Sequence, residues 1–358
     1  MTHTLTRDFA ALLIDWHAHQ GRHSLPWQNA RDPYRIWLSE IMLQQTQVNT
    51  VIPYYKRFLE SFPDVIRLAD APLEEVLGLW SGLGYYARAR NLHRAAQTIA
   101  EQHGGRFPPD AAGLETLPGI GRSTAAAIAA FAYGERAAIL DGNVRRVLCR
   151  AFGIEGFPGR TQVEKQLWSL AETLLPQKNI ATYTQAQMDL GATLCTRSRP
   201  DCKQCPLSEY CVAYQDDRIA ELPTPRPRKR PPLRQVRVAV ITSGAHVLME
   251  QRPPTGIWGG LLALPEIPEH VADAQAWLEE KLGLTLVARG ALADIHHAFT
   301  HFKLQMQPLR FDTRDVATQA GEEDHYVWLA RNASDRARLP TPARKLLQTL
   351  AEPDLFEH

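Results

Sequence analysis

The chain has 358 residues, of which 44% are hydrophobic and 22% charged, so it is long enough for two domains that each bury a core. Forty Lys and Arg residues against 39 Asp and Glu residues give a net charge of +1. This balance excludes a polycationic protein and by itself argues weakly against a nucleic-acid ligand. No apolar run approaches the roughly 20 residues of a membrane span. The first residues lack the layout of a secretory signal, so we expect a cytoplasmic protein.

The first domain is predicted to be all-α. From residues 8 to 212, apolar side chains recur at three- and four-residue spacing, which predicts successive helices within a domain of residues 1–216. Residues 222–232 then contain five prolines and four cations, a composition with little to bury. We therefore expect a basic linker over residues 217–234.

The second domain, residues 235–358, is predicted to mix strands and helices. Val236, Val238 and Val240 alternate with period two, as in a strand with one buried face, whereas residues 272–282 have helical spacing. This domain carries 12 basic and 16 acidic side chains, against six and two in the linker. The near-neutral total therefore conceals a cationic segment next to an acidic domain.

Four of the five cysteines lie close together, namely Cys195, Cys202, Cys205 and Cys211. In a cytoplasmic chain, this density favours thiolate ligands of a metal centre over disulfides. Four thiolates suit either zinc or a 4Fe-4S cluster, and the spacing leaves both open. Cys149 lies within a helical stripe and is expected to be a buried, inert thiol.

A glycine-rich turn over residues 117–124, LPGIGRST, separates two predicted helices. Gly119 and Gly121 permit unusual backbone angles, and free amides at a helix start attract phosphate oxygens. A tight structural turn remains the alternative. Upstream, Arg88, Arg90 and Arg94 form a cationic group that, alone, is best explained as a solvated helix face.

Glu40 lies in the apolar helix IWLSEIML, which begins with Asp32 as the expected N-cap and Pro33 at the first position. Burial of a carboxylate without a partner raises its pKa, which suits a general acid. A buried glutamate paired with an arginine is an equally good interpretation.

Asp141 precedes a helix that holds Arg145 and Arg146, and a simple N-cap is one strong interpretation. The amide dipoles and cations there would also keep the carboxylate ionised. Two carboxylates whose pKa values are driven apart suit an acid and an electrostatic stabiliser or nucleophile, as in glycosidic bond cleavage.

Six motifs in order identify a family resemblance: LPW, WLSEIMLQQTQV, GLGYYARARNL, LPGIGRSTA, LDGNVRRVL and the cysteine array. Together they resemble the helix-hairpin-helix DNA glycosylase superfamily, and most closely the MutY-type adenine DNA glycosylases. The resemblance implies an all-α glycosylase domain with a 4Fe-4S cluster, followed by an α/β domain similar to Nudix hydrolases. It also implies a monomeric, bacterial, nucleoid-associated enzyme of base excision repair.

The resemblance implies removal of adenine opposite 8-oxoguanine or guanine from double-stranded DNA after base flipping. Glu40 would protonate adenine at N7, and Asp141, supported by Asn143, would stabilise or trap the sugar cation. The implied adenine pocket consists of Trp27, Gln28, Leu43 and Gln185. The implied DNA contacts are Gln45, Thr46, Tyr86, Arg88, Arg90, Pro118, Gly119, Ile120, Gly121 and Ser123.

Endonuclease III shares the fold but uses a lysine in the hairpin to form a Schiff base. This chain has Ser123 there, and a hydroxyl cannot form an iminium, so we expect a monofunctional glycosylase. Two alternatives are a bifunctional glycosylase with lyase activity and a non-catalytic DNA-binding protein with a structural metal.

The second domain resembles a Nudix domain whose hydrolase motif is degraded. Gly260 and Glu266 keep the opening spacing, but Ala276, Trp277 and Lys281 stand where the motif needs Arg, Glu and Glu. Losing clustered carboxylates removes a divalent-metal site, so we interpret this domain as a binding module. By the resemblance, the residues that would read 8-oxoguanine are Phe299, Thr300 and His301.

Overall fold

The computed structural model describes residues 2–28, 31–227, 231–253, 256–299, 301–314, 325–333 and 338–351. The chain divides into two compact units: residues 1–79 with 87–228, and residues 80–86 with 229–358. No helix among the described residues is long and apolar enough to cross a membrane.

The predicted all-α character of the first domain is confirmed. Its helices are α1 (Thr2–Gln20), α2 (Pro33–Leu43), α3 (Val48–Ser61), α4 (Val65–Asp70), α5 (Leu73–Trp80), α6 (Ala87–His103), α7 (Ala111–Glu115), α8 (Arg122–Tyr133), α9 (Gly142–Phe152), α10 (Thr161–Thr173), α11 (Ile180–Thr193) and α12 (Val212–Gln215).

The helical core that positions the site is built around α9 and α11. Phe9 of α1 lies edge-on to Tyr183 of α11, with ring centroids 6.4 Å apart, and Val144 and Leu148 of α9 are fully buried in the same cluster. The helix α11 packs against both α1 and α9. Burial of each apolar side chain contributes about 1.5–3 kcal/mol, so packing fixes the three helix axes relative to one another.

The mixed α/β character of the second domain is also confirmed. Its strands and helices are β1 (Leu233–Ser243), β2 (His246–Gln251), β3 (Leu262–Ala263), β4 (Glu266–Ile267), α13 (Ala274–Leu282), β5 (Val287–Ala291), β6 (Ile295–Ala298), β7 (Lys303–Asp312), β8 (Tyr326–Ala330) and α14 (Thr341–Ala351).

The strands form one sheet with β1 at its centre, in the order β3-β2-β1-β7-β5. The central pair β1 and β7 is parallel, from Leu233 opposite Lys303 to Thr242 opposite Asp312. Strand β1 therefore begins at Leu233, inside the expected linker, because its first residues already pair with β7. The other strand pairs of the sheet, including β4 with β1 and β8 with β2, are antiparallel.

The two faces of the sheet bury separate cores, so β1 is buried on both faces and not on one face alone, as the period-two pattern had indicated. Val238 and Val240 face one cluster, which includes Leu347 of α14, while Ala239 and Ile241 face another that includes Leu278 of α13. Helix α13 covers the predicted helical stretch, and the side chain of Asp273 caps it by accepting from the amide of Ala276.

Candidate active site

The helix α2 holds Glu40 at the wall of two cavities. Asp32 caps the helix by accepting a 2.9 Å hydrogen bond from the amide of Tyr34, and Pro33 occupies the first turn, both as predicted. Glu40 itself is partly buried among fully buried apolar neighbours. Burial, and secondly the negative charge of Asp141, raise its pKa to about 8. The carboxyl group of Glu40 therefore holds its proton at neutral pH, as a general acid requires.

The second carboxylate, Asp141, is the N-cap of α9. Its Oδ1 accepts a 2.7 Å hydrogen bond from the amide of Val144. Burial raises its pKa, against the opposing effects of the amides of Val144 and Asn143 and of the cations Arg146 and Arg145. The sequence predicted that amides and cations would keep this carboxylate ionised. They do act in that direction, but the loss of water around Asp141 outweighs them and moves its pKa upward.

Asn143 lies beside Asp141 in a tightly packed position. Its Oδ1 accepts a 2.7 Å hydrogen bond from Nη2 of Arg146. A Cβ atom at residue 191 of α11 would lie 2.5 Å from the Cβ of Asn143, so only glycine allows the two helices to meet there. The amide side chain is thus held by a cation on one side and by a close helix crossing on the other.

Two cavities open beside these carboxylates. The first has a volume of about 510 Å³, and its walls include Trp27, Gln28, Glu40 and Gln185. The second, of about 980 Å³, borders on Glu40 again, on Asp141 and Asn143, and on the residues Leu43, Gln45, Thr46 and Ser123. Three of the four residues expected to line the adenine pocket therefore share the first cavity, while Leu43 lies on the second. Glu40 is common to both.

A buried network behind the first cavity was missed by the sequence reasoning. Asp189 is fully buried on α11 and accepts hydrogen bonds from the backbone amide, Nε and Nη2 of Arg22, at 2.6 to 2.9 Å. Its Oδ1 also accepts a 2.8 Å hydrogen bond from Nε2 of Gln185, which leaves Oε1 of that amide for the cavity. The signal was the four-residue spacing of Gln185 and Asp189, which places both on one helix face.

His17 completes this network on the side of α1. Its Nε2 lies 3.3 Å from Oδ2 of Asp189, and its ring lies edge-on to that of His23, with centroids 4.7 Å apart. Burial lowers the pKa of His17, although Asp189 acts in the opposite direction. Both histidines line the first cavity. The sequence offered no signal for them, since they belong to no motif.

The glycine-rich turn is a tight corner ending in the start of α8. Gly119 has a φ of 79°, and a Cβ atom there would lie 2.7 Å from Cβ of Asn91, so the position requires glycine. Gly121 is the N-cap of α8, and both glycines are exposed, whereas Ile120 is buried and Pro118 partly buried.

Ser123 occupies the position that is a lysine in the lyase pattern. Its Oγ accepts a 2.9 Å hydrogen bond from the amide of Leu140, directly before Asp141. The hydroxyl therefore helps to fix the approach to the second carboxylate. It borders on the second cavity together with Asp141.

Arg88 differs from the expected exposed DNA contact. It is buried, with 8% of its surface exposed, and its guanidinium donates to backbone carbonyls at the end of α2. This placement contradicts a surface role for Arg88. Arg90 is partly buried, and burial lowers its pKa, while Arg94 is exposed and donates to Oδ1 of Asn91.

Of the two adjacent tyrosines, Tyr85 is the exposed one. Its side chain is 49% exposed and its φ is 50°, whereas Tyr86 is partly buried. A large residue in the left-handed region is uncommon and marks positions held by their surroundings. The family resemblance had assigned the DNA contact to Tyr86, because the sequence alone does not show which of the two adjacent rings is exposed.

The four clustered cysteines line one small pocket of about 20 Å³ beside α9. Arg150 of α9 is buried and donates to Sγ of Cys195 at 3.5 Å and to the carbonyl of Thr196 at 2.7 Å. Burial first, and then the neighbouring thiols, raise the pKa of Cys205 to about 12. Around no point among the described residues do three Cys, His, Asp or Glu groups meet closely enough for a single metal ion. Four sulfurs around a common pocket form a donor set that suits a metal centre.

The remaining cysteine, Cys149, is buried inside α9, as predicted. Burial raises the pKa of its thiol to about 11. A thiol with such a pKa is neutral and unreactive at pH 7.

In the sheet unit, the positions of the degraded hydrolase motif are occupied by a cation and an aromatic ring. Arg252 lies 3.6 Å from Glu250 and 3.2 Å from Glu266, so a guanidinium already pairs with the retained carboxylate. On α13, the ammonium of Lys281 lies 4.8 Å from the ring centre of Trp277. These contacts give the altered motif residues a structural function.

The predicted lesion-reading loop connects β6 to β7. Phe299 stacks on Phe302, with centroids 4.5 Å apart, and its amide donates a 2.9 Å hydrogen bond to the carbonyl of Phe302. Trp258 and His297 complete the aromatic group around Phe299. His301 is exposed, and Thr300 lies outside the described residues.

Comparisons with known proteins agree with this architecture. Residues 38–173 match the HhH-GPD superfamily of base excision DNA repair proteins, and residues 237–349 match the NUDIX domain. The helical unit with its two carboxylates is therefore that of a base excision repair glycosylase.

The similarity to adenine DNA glycosylases extends over the whole architecture. That of Buchnera aphidicola subsp. Baizongia pistaciae is 35% identical over 340 residues, covering 95% of each chain. The Homo sapiens enzyme is 35% identical over 401 residues, covering 95% of this chain and 73% of its own. The chain belongs to the adenine DNA glycosylase family.

Solved structures resemble the helical part. A thermostable thymine-DNA glycosylase superposes with a TM-score of 0.55 at 30% identity, covering 60% of this chain and 99% of its own. Endonuclease III from a non-covalent DNA complex superposes with a TM-score of 0.52 at 22% identity, covering 61% of this chain and 98% of its own. This similarity shows that the two chains share a fold.

Proposed function

We propose that this enzyme is a monofunctional, monomeric, cytoplasmic glycosylase that releases adenine opposite 8-oxoguanine or guanine in double-stranded DNA. The observation that carries the proposal is the position of Glu40, whose pKa is raised to about 8, on the wall shared by both cavities. One cavity would receive the flipped base and the other the sugar and the opposite strand.

Adenine would enter the first cavity, between Trp27, Gln28 and Gln185. The hydrogen bond from Nε2 of Gln185 to Asp189 leaves Oε1 as an acceptor for the exocyclic amine of adenine. Bases with a carbonyl at that position would instead face a second acceptor. This arrangement supports selection for an amino-bearing base.

In the reaction, Glu40 would donate its proton to N7, so that adenine leaves as a neutral base. Asp141 would stabilise the positive charge on the sugar or trap it covalently before water attacks. Asn143 would hold Asp141 in place. Because the ionised form of Asp141 raises the pKa of Glu40, Glu40 would keep the proton that it donates to adenine.

Cys195, Cys202, Cys205 and Cys211 would hold a 4Fe-4S cluster. When bound, it would cross-link the segment between α11 and α12 through four thiolates, with no redox step in base removal. Arg146 donates to the carbonyl of Cys195 at 2.7 Å, so the loop and the start of α9 are already joined by the protein.

DNA would be held by the amides of Gly119 and Gly121, flanked by Pro118 and Ile120, on a backbone phosphate. Gln45 and Thr46 border on the second cavity and would enter the stack around the mispair. The aromatic wedge would be Tyr85 rather than Tyr86, since Tyr85 is the exposed ring. Phe299, Thr300 and His301 would read 8-oxoguanine.

The test is base release from a panel of duplexes carrying A opposite 8-oxoguanine, G, C or T, with and without alkali. The proposal requires release from the first two, with strand breakage that depends on alkali. Direct breakage, with a borohydride-trapped adduct, would instead establish the bifunctional alternative. Binding without release from any duplex would establish the non-catalytic one.

A further inference from the structure

The contacts of Arg88 explain how the end of α2 is held. From α6, its Nη1 donates to the carbonyl oxygens of Ile41, Met42 and Gln44 at 2.5 to 3.0 Å. Its Nη2 donates to Oγ1 of Thr46 at 3.1 Å. One buried cation thus donates hydrogen bonds to carbonyls at the end of the helix and to the segment that follows, residues 44–47.

A helix end needs such a partner, because its last carbonyls have no intrahelical donor and carry a partial negative charge. Glycine in a left-handed conformation commonly closes a helix. Here the left-handed residue is Gln45, with a φ of 59°, and a non-glycine residue pays about 1–2 kcal/mol for that conformation. The conformation persists because the surroundings hold it.

The segment that Arg88 grips forms one side of the second cavity. The residues Gln44, Gln45, Thr46 and Gln47 all border on this cavity, as does Asp141. Gln45 is exposed, and the Nε2 atom of Gln44 lies 3.5 Å from Oγ1 of Thr124 on α8. The segment is therefore anchored through Gln44 and Thr46, on either side of the exposed residue Gln45.

We propose that Arg88 is a positioning residue for mispair recognition: it fixes the left-handed backbone of Gln45, so that this amide is preorganised to enter the base stack. The inference rests on the proposed role of Gln45 at the mispair. Arg88 does not act as a phosphate contact, because its guanidinium is directed into the protein. Lysine cannot reproduce these contacts, since a single ammonium in the place of Nη1 would leave Oγ1 of Thr46 without the donor that Nη2 provides.

The experiment is a double-mutant cycle of Arg88→Lys with Gln45→Gly, measured as single-turnover base release from an A opposite 8-oxoguanine duplex. Glycine adopts the left-handed conformation freely and has no side chain to position. We expect Arg88→Lys to lower the rate about 10- to 100-fold in the wild-type chain but less than about 3-fold in the Gln45→Gly background. Equal factors in both backgrounds would overturn the proposal, as would an unaffected Gln45→Gly enzyme.

Further controls separate this outcome from other causes. Arg94→Lys changes an exposed cation of the same helix and should leave the rate within about 2-fold. The slope of the logarithm of the DNA-binding constant against the logarithm of the salt concentration should be the same in Arg88→Lys as in the wild type. A slope that is smaller by about 1 would show a direct phosphate contact of Arg88 and contradict the proposal. If Arg88→Lys does not fold, Thr46→Val removes the Nη2 partner together with the 3.4 Å hydrogen bond from Oγ1 of Thr46 to the carbonyl of Gln44. A loss that acts through the backbone of Gln45 should be smaller than that of Arg88→Lys and should again disappear beside Gln45→Gly, whereas a loss that persists there would mark a direct contact of Thr46 with the mispair and contradict the proposal. The unmodified enzyme on the same duplex reports the proposed function separately.

Discussion

Each unit of the chain contains a pair of neighbouring carboxylates, and the two pairs differ in what neutralises them. In the sheet unit, Arg252 lies between Glu250 and Glu266 and pairs with both. In the helical unit, Glu40 lies beside a second anion, Asp141, and no ion pair to Glu40 occurs among the described residues. A carboxylate paired with a cation is stabilised in its ionised form and has no proton to donate. Burial beside a like charge instead favours the protonated form, which can donate a proton at neutral pH.

The contrast between the two pairs of carboxylates can be tested by substitution, and we expect the largest effect on base release from Glu40→Gln. The amide cannot donate an acidic proton, so base release should fall by about 10³-fold or more while mispair binding is kept. Single-turnover rates and binding to an uncleavable duplex measure the two properties. Glu115→Gln, at an exposed position of α7, is the matched control and should behave as the wild type. Substantial turnover by Glu40→Gln would remove the acid assignment.

The same substitution should stabilise the fold at alkaline pH. The folded-state pKa of Glu40 is raised to about 8, so the wild type loses stability as pH rises from the unfolded value through that pKa. Glutamine does not ionise. We expect Glu40→Gln to gain on the order of 1–3 kcal/mol in free energy of unfolding at pH 9 and little at pH 4, measured by urea titration.

The second prediction concerns the pH dependence of base release. Above a pH of about 8, loss of the Glu40 proton should lower the rate about tenfold per unit. On the acid side, the rate should fall as Asp141 becomes protonated, at a pH above its ordinary value of 3.8, because burial raises its pKa. Single-turnover rates from pH 4 to 10 check the bell shape. A rate that stays constant through pH 9 would contradict a protonated Glu40.

A third, smaller effect is expected from Asp189→Asn, which leaves Arg22 without its buried anion. Removal of one partner of a buried pair destabilises a protein by about 3–5 kcal/mol, and the orientation of Gln185 is lost with it. We expect base release to fall about 10- to 100-fold, with weaker discrimination against guanine in the pocket. Thermal unfolding and rates on adenine and guanine substrates measure both.

The control for that prediction is Asp15→Asn, at an exposed position of α1. It should change neither property. If Asp189→Asn lowers the melting temperature but leaves the rate and the base preference unchanged, Asp189 serves the fold alone.

The sequence predicted much of this architecture because the relevant signals are local. The helix of Glu40, the cap at Asp141 and the alternation of Val238 and Val240 each depend on a few consecutive residues. The failures involve long-range packing: the burial of Arg88 depends on carbonyls more than 40 positions away, and its spacing on α6 resembles that of an exposed cation. Asp189 was missed for the same reason, since Arg22 approaches it across 167 positions.

A fourth prediction tests the reading function of the sheet unit. Thr300→Ala should lower the preference for A opposite 8-oxoguanine over A opposite G by about 2- to 10-fold, as for one lost hydrogen bond, without changing the maximal rate on the latter. Thr349→Ala, exposed on α14, is the matched control. An unchanged preference would remove Thr300 from the recognition site.

The smallest effect is expected from Arg252→Gln, which removes the cation between Glu250 and Glu266. Two carboxylates would then face each other, so the melting temperature should fall by a few degrees, and Glu266→Gln in the same chain should restore part of the loss. We expect base release to stay within about 2-fold of the wild type, because neither carboxylate is among the residues that line the two cavities of Glu40. Thermal unfolding and single-turnover rates measure the two effects. A tenfold loss of base release without unfolding would show that the carboxylates of the sheet unit also contribute to the reaction, and the contrast between paired and unpaired acids would fail.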